Sequence, residues 1–195
     1  MSASVQGYVA NELARGGYQN VHDLLAQACA KHPQRAAFSC GDDHLTYAEL
    51  GSLADAFARY LRHHAGLQPG DRLALQLPNS LQYPIAVFGA LKAGLVIVNT
   101  NPQYTAAEAR HQFRDSGARA ILVLDRLLPL VRAVQADTEL EHVMLTSVDD
   151  LQRPIHEGSE AGTQRFMQAL RLGAESPPLE REAGLDRLAL LQYTG

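Results

Sequence analysis

Polar residues stand directly after two predicted strands, where an open parallel sheet would bind a ligand. Asn79 and Ser80 follow a strand predicted over residues 72–77, and the sequence Asn-Thr-Asn at residues 99–101 follows a strand predicted over residues 95–98. In open parallel sheets, ligands bind beyond the carboxyl ends of the strands. Both clusters are therefore positional candidates for a binding site, although helix caps and turns use the same residue types.

A third candidate follows the last apolar run of the chain, which we predict to be a strand over residues 188–192. Tyr193, Thr194 and Gly195 come next and combine hydroxyl groups with a glycine. Such residues begin phosphate-binding loops, in which several backbone N–H groups point at the anion. We take these three residues as the candidate nucleotide-binding residues.

Other catalytic patterns are absent from the sequence. It contains no Gly-x-Ser-x-Gly, no Gly-x-Gly-x-x-Gly and no phosphate-loop motif ending in Gly-Lys-Ser/Thr. None of its eight histidines lies three or four residues from another, so no helix face carries a pair of metal ligands. Lys31 and Lys92 both fall near predicted helix C-termini, where they complement the helix dipole. We therefore assign no catalytic residue and no metal ligand.

The composition excludes several classes of protein. The chain has 195 residues, of which 46% are hydrophobic and 19% are charged, so it is too apolar for a disordered chain. Its formal net charge of −4 argues against a nucleic-acid-binding protein, which usually carries a basic patch. Cys29 and Cys40 form no Cys-x-x-Cys motif, and we interpret them as reduced thiols rather than a disulfide.

Neither a targeting signal nor a membrane span is visible in the sequence. Residues 1–14 lack a basic start followed by an apolar stretch. The most apolar stretch, residues 85–98, has 14 residues and contains Lys92, whereas a spanning helix needs about 20 apolar residues. We expect a cytoplasmic protein and leave peripheral association with the inner membrane open.

Helical and strand-like segments alternate along the chain. Thr46 and Thr105 are each followed three residues later by a glutamate, which is the capping-box pattern that begins helices. The predicted strands are short runs of apolar residues, typical of strands that are buried on both faces. We therefore predict an α/β fold with a mainly parallel sheet and helices on both faces. Four strands of this sheet are predicted at residues 72–77, 95–98, 120–124 and 142–146.

The alternating pattern weakens over residues 147–184, which we predict to be a loop or insertion. Prolines and glycines are frequent there, and one short helix is predicted over residues 164–172. A natural domain seldom ends one residue past a core strand, because the strand end needs a connection or a cap. We therefore expect residues 1–195 to be a fragment that is interrupted within a βα unit.

Three blocks of the sequence, taken in order, resemble the core motifs of the adenylate-forming superfamily. The first is Leu-Thr-Tyr-Ala-Glu-Leu at residues 45–50. The second is Leu-Lys-Ala-Gly at residues 91–94, leading to Val-Asn-Thr-Asn-Pro at residues 98–102. The third is Leu-Ala-Leu-Leu-Gln-Tyr-Thr-Gly at residues 188–195, which resembles the entry to a Ser/Thr/Gly-rich loop. Within the superfamily, residues 78–84, 98–105 and 192–195 are most similar to bacterial long-chain fatty-acid–CoA ligases.

This resemblance implies the N-terminal subdomain of an enzyme that works in two steps. ATP and a fatty acid would give an acyl-adenylate and pyrophosphate, and coenzyme A would then displace AMP to form a thioester. The implied cofactors of the full-length enzyme are ATP, Mg²⁺ and coenzyme A. In such enzymes most of the loop, the magnesium carboxylate and the catalytic lysine come later in the chain than Gly195. We therefore expect the fragment alone to be inactive and to hold no cofactor.

Two other interpretations stay open at this point. The chain could be a standalone, non-catalytic α/β module that binds a ligand or a partner, or part of an adenylating enzyme for another carboxylic acid. Under the leading interpretation the partners of the full-length enzyme are a fatty acid and coenzyme A, with no nucleic acid. Homodimer formation is left open.

Overall fold

The computed structural model describes residues 20–151, 160–180 and 187–193. The predictions made for residues 1–14, for residues 152–159 and 181–184 of the predicted insertion, and for Thr194 and Gly195 lie outside the described residues.

A parallel sheet of six strands forms the centre of the molecule, and a small antiparallel hairpin lies apart from it. Every neighbouring pair in the main sheet is parallel, which confirms the predicted sheet. The hairpin consists of β1 (Ala36–Cys40) and β2 (Asp43–Thr46). The main sheet contains β3 (Arg72–Gln76), β4 (Val96–Asn99), β5 (Ala118–Leu124), β6 (His142–Thr146), β7 (Thr163–Arg165) and β8 (Leu190–Gln192). Across the sheet the strand order is β7-β6-β5-β3-β4-β8.

Six α-helices surround this sheet in the described ranges. Both predicted capping boxes are present: the Thr46 hydroxyl accepts from the Glu49 N–H, the Thr105 hydroxyl accepts from the Glu108 N–H, and each glutamate bonds back to its threonine. No helix within the described ranges is long and apolar enough to cross a membrane. The helices are α1 (Val21–Lys31), α2 (Tyr47–His63), α3 (Gln82–Lys92), α4 (Ala106–Ser116), α5 (Leu128–Gln135) and α6 (Phe166–Ala174).

Helices cover both faces of the sheet, as predicted. Successive side chains of a strand point to opposite faces, so β5 contributes to two separate cores. Leu122 belongs to the core that includes residues of α2, α3 and α6. Val123 belongs to the core that includes residues of α4 and α5. This division explains why the strands read as continuous apolar runs in the sequence.

The predicted loop or insertion at residues 147–184 contributes a strand that the sequence pattern does not predict. β7 pairs in parallel with β6 and extends the sheet by one strand. The helix predicted from residue 164 begins at Phe166, because Thr163 to Arg165 are extended. Three residues are too few to show a strand period, so this strand depends on its pairing with β6 rather than on its own sequence.

Helix α2 approaches both of its neighbours through glycines. A Cβ atom on Gly173 of α6 would lie 1.8 Å from the carbonyl oxygen of Ala56 in α2. A Cβ atom on Gly89 of α3 would lie 2.8 Å from the Phe57 ring. Both distances are shorter than a van der Waals contact, so this three-helix layer requires glycine at these two positions.

Candidate functional site

The carboxyl edge of β4 and β8 carries a hydrogen-bonded cluster of polar side chains. Asn99, at the end of β4, is paired in register with Gln192, at the end of β8. The Asn99 amide Nδ2 donates to Gln192 Oε1 at 3.0 Å, and Asn99 Oδ1 accepts from the Tyr83 hydroxyl at 2.7 Å. Asn99 therefore joins both strands to α3 at the edge where open parallel sheets bind ligands.

Three buried glutamines hold the loops that follow the strands of the sheet. Backbone carbonyls beyond a strand end have lost their ladder partners and need another donor. Each glutamine supplies one through its side-chain N–H, while its own side-chain oxygen has no partner within the part of the chain that the structure describes. These bonds run from Gln112 Nε2 to the Asn99 carbonyl (2.8 Å), from Gln76 Nε2 to the Asn101 carbonyl (3.2 Å) and from Gln82 Nε2 to the Ser147 carbonyl (2.7 Å).

Tyr193 leaves β8 beside helix α4, where it is held at both ends. Its hydroxyl donates to Asp115 Oδ2 at 2.6 Å, which is a charge-assisted hydrogen bond. Its backbone carbonyl accepts from Gln192 Nε2 at 3.2 Å. Burial, together with the hydrogen bond and the negative charge of Asp115, raises the pKa of Tyr193 to about 12. Of the three predicted nucleotide-binding residues, the structure describes Tyr193.

Apart from Asn79, the remaining polar residues predicted at this edge make local bonds. These bonds stabilise turns, which is the alternative that the sequence left open for them. Asn99 is therefore the residue of the two predicted clusters that the structure joins to Tyr193, through Gln192. The local bonds run from the Tyr83 N–H to the Ser80 carbonyl (3.2 Å), from the Gln103 N–H to Asn101 Oδ1 (2.9 Å) and from the Thr100 hydroxyl to the Val98 carbonyl (3.3 Å). The Asn79 carbonyl instead accepts from the Cys40 thiol at 3.8 Å, across 39 residues of sequence.

Both lysines lie in the last turn of a helix, as predicted. Lys92 also forms an ion pair with Asp55 at 2.6 Å, which ties α3 to α2. This contact accounts for Lys92 in structural terms, so no catalytic role is assigned to it. Within the described ranges, no group of three His, Cys, Asp or Glu side chains could hold a metal ion.

A buried ion network joins β5, β6 and β7 at the same carboxyl edge of the sheet. Arg165 Nη1 lies 2.5 Å from Asp125 Oδ1, and Arg165 Nη2 lies 3.3 Å from Asp150 Oδ2. Asp150 Oδ2 also accepts from the Thr146 hydroxyl at 3.0 Å and from the Ser147 N–H at 2.8 Å. This network fixes the strand that the sequence did not predict, because Arg165 is the last residue of β7.

Several residues that complete the cluster around Asn99 and Tyr193 were not among the predicted site residues, although Tyr83 and Gln192 lie in blocks that resemble the ligases. Gln112 had a detectable signal, since it lies on the buried stripe of α4 with Ala109 and Ser116. A polar residue on such a stripe needs a hydrogen-bond partner. Asp115 had no local signal, because its partner is 78 residues away in the chain. The residues left out are Tyr83, Gln112, Asp115 and Gln192.

The comparison with protein families shows to which family the chain belongs. Residues 25–195 match the family model described as AMP-binding enzyme. The chain belongs to the AMP-binding enzyme family. This result confirms the resemblance to adenylate-forming enzymes that was inferred from the three sequence blocks.

Curated relatives of the chain are named long-chain-fatty-acid–CoA ligase. The protein from Escherichia coli O6:H1 is 34% identical over 203 aligned residues, covering 96% of this chain and 36% of its own length. The protein from Haemophilus influenzae is 36% identical over 194 residues, covering 91% of this chain and 34% of its own length. The chain thus spans about a third of the length of the curated relatives it matches.

Solved structures of adenylate-forming enzymes share the fold. The fatty acyl CoA synthetase of Mycobacterium tuberculosis superimposes with a TM-score of 0.73 at 25% identity, covering 91% of this chain and 33% of its own. An anthranilate CoA ligase in complex with anthranoyl-AMP superimposes with a TM-score of 0.77 at 23% identity, over 90% of this chain and 32% of its own. The second likeness shows the fold alone.

Proposed function

We propose that the chain is the N-terminal subdomain of a long-chain fatty-acid–CoA ligase. The observation that carries this proposal is the 34% identity to a curated ligase of that name across 96% of the chain. The order of the three motif blocks and the parallel sheet with its polar carboxyl edge support the same function.

The proposed reaction activates a carboxylic acid in two steps. A carboxylate is a poor electrophile until one of its oxygens becomes part of a leaving group. Transfer of AMP from ATP to that oxygen, with release of pyrophosphate, provides this group. Coenzyme A then attacks the acyl-adenylate carbonyl, forming the thioester while AMP leaves. Stabilisation of charge on the phosphates by preorganised donors is the main contribution that such a site can make.

Within this proposal, the chain supplies the scaffold and the entrance of the nucleotide site. Tyr193, Thr194 and Gly195 are proposed to begin the loop that binds the phosphates of ATP. Within the described ranges no group of three His, Cys, Asp or Glu side chains could hold a metal ion, and the family resemblance places the magnesium carboxylate later in the chain than Gly195. No step is therefore assigned to a metal ion on these residues.

Location and partners are part of the same proposal. The full-length enzyme would take a fatty acid and coenzyme A as substrates and would work in the cytoplasm, where ATP is available. Its acyl substrate partitions into lipid, which favours peripheral association with the inner membrane. Sedimentation of the protein with lipid vesicles would test that association, and light scattering would test for a homodimer.

The test uses the full-length protein from the parent gene and the chain of 195 residues side by side. With ATP, Mg²⁺ and palmitate, the full-length protein should exchange labelled pyrophosphate into ATP and should form palmitoyl-CoA when coenzyme A is added. The chain alone should form none. Exchange that requires benzoate rather than palmitate would show that the substrate is an aromatic acid and not a fatty acid. A lack of exchange with every carboxylic acid would refute the proposal that the full-length protein is a ligase.

A further inference from the structure

Asp115 occupies a position where its own helix does not favour a carboxylate. It lies in the last turn of α4, one residue before the helix ends at Ser116. The C-terminus of a helix carries partial negative charge, so an acidic side chain there is mildly destabilising. No ion pair formed within the described ranges includes Asp115. The hydrogen-bond partner of this carboxylate comes from outside the helix.

The hydroxyl of Tyr193 is that partner. It donates to Asp115 Oδ2 at 2.6 Å across 78 residues of sequence. The pKa of Tyr193 is raised to about 12 by burial, by this bond and by the negative charge of Asp115, so the proton stays on the phenol. The basic side chains of Arg110, His111 and Arg114 line the same shallow depression as Asp115.

The other end of Tyr193 is fixed as well. Its carbonyl accepts from Gln192 Nε2, and Gln192 Oε1 accepts from Asn99. A residue that is held by its ring and by its carbonyl has a defined backbone direction.

We propose that Asp115 is a positioning residue, which acts through the Tyr193 hydroxyl to fix where the chain leaves β8 and enters the nucleotide-binding loop. This inference rests on the proposed function, since it assigns the loop to ATP. A preorganised ring of N–H donors is effective only when its geometry is set before the nucleotide arrives. Asp115 itself touches neither ATP nor the acyl group.

The first experiment measures pyrophosphate exchange by the full-length protein. The variants are Asp115→Ala, Tyr193→Phe and the double variant, with Asp137→Asn as a control at an exposed carboxylate that pairs with Arg110. Both single variants should lower kcat/KM for ATP in this exchange by about ten- to a hundredfold, and the KM for fatty acid should stay unchanged. The KM for coenzyme A, measured separately in thioester formation, should also stay unchanged. The double variant should lose no more than either single variant, because both changes break one interaction.

A conservative variant separates positioning from simple support of the fold. Asp115→Asn keeps an oxygen that can accept from the Tyr193 hydroxyl, so it should recover most of the kcat/KM for ATP that Asp115→Ala loses. Equal losses in kcat/KM for all substrates, or losses of the two single variants that multiply in the double variant, would overturn the proposal. So would an unchanged kcat/KM for ATP in Asp115→Ala.

A second readout does not depend on ligase activity. The alkaline absorbance titration of tyrosine, taken as the difference between the parent protein and Tyr193→Phe, should give a pKa of about 12 for Tyr193 and a lower value in Asp115→Asn. Amide hydrogen exchange at Tyr193 should accelerate in Asp115→Ala but not in Asp137→Asn. If the parent protein lacks exchange activity, the proposed function fails, whereas unchanged hydrogen exchange and an unchanged titration would show that Asp115 does not hold Tyr193.

Discussion

Replacing Arg165 with methionine should destabilise the protein strongly, because Arg165 is the cation that two carboxylates share. Its side chain is 6% exposed, and it contacts Asp125 at 2.5 Å and Asp150 at 3.3 Å. Methionine has a similar length and fills much of the same space without a charge. The substitution therefore removes the charge and the hydrogen bonds while it retains most of the packing.

The expected loss of unfolding free energy depends on the solvent exposure and the hydrogen bonds that each carboxylate retains. Breaking a buried ion pair by removing one partner costs about 3–5 kcal/mol, since the remaining charge is left buried. Asp125 is 34% exposed and can turn to water. Asp150 is 4% exposed but keeps the donors of Thr146 and Ser147. We therefore expect a loss near the lower limit, about 3 kcal/mol, which corresponds to roughly 6–12 °C in Tm for a chain of this length.

Thermal and urea unfolding, followed by circular dichroism at neutral pH, would measure this loss. The matched control is Arg110→Met, which breaks the exposed pair with Asp137 and should cost about 0–1 kcal/mol. Adding Asp150→Asn to the Arg165→Met variant should restore part of the stability, because the unpaired charge is then gone. A loss within the range of the control, or no recovery on adding Asp150→Asn, would refute the reasoning.

Two further predictions concern the helix layer and the edge strand. Gly173→Ala should cost about 2–4 kcal/mol of unfolding free energy, because its Cβ would lie 1.8 Å from the Ala56 carbonyl. Gly51→Ala should change stability by less than about 1 kcal/mol, since its Cβ meets only the movable Cys29 thiol at 3.0 Å. The pKa of Tyr193 is raised from 10 to about 12 in the folded state, so its contribution to stability is complete below pH 10 and is lost as the pH rises through 12. In urea unfolding, the free energy of unfolding should fall as the pH rises across that range, and the fall should be smaller in Tyr193→Phe. Equal falls in both proteins would show that Tyr193 is not the group responsible.

The part of the fold that follows from local sequence could be predicted. The helix starts at Thr46 and Thr105 depend on a side chain and a backbone N–H three residues apart, so the pattern and the structure agree. The buried strands are recognisable because both of their faces are covered by helices. The three residues of β7 could not be found in this way, since their extended conformation depends on pairing with β6 and on the Arg165 network.

The places of Asn99 and Tyr193 at the carboxyl edge of the sheet could be predicted from the sequence, but the residues that surround them could not. Asn99 and Tyr193 follow strands, and the rule that ligands bind beyond the carboxyl ends of strands was enough to select them. Asp115 lies on the exposed side of a helix, where a carboxylate is ordinary. Its role depends on a contact between segments 78 residues apart, which no local pattern encodes.

Helix α4 contacts the residues at the ends of two strands, β4 and β8. These contacts couple the positions of the two strand ends at the carboxyl edge of the sheet. Gln112 bonds to the carbonyl of Asn99 at the end of β4, and Asp115 bonds to Tyr193 after β8. Residues three apart on a helix lie on neighbouring parts of its surface, so one segment of α4 contacts both strand ends. A rotation or shift of α4 would therefore move the ends of β4 and β8 together rather than relative to each other. Since the capping box at Thr105 begins this helix and its buried side shares a core with β5, the positions of Asn99 and Tyr193 depend on a helix that contributes no predicted ligand-binding residue of its own.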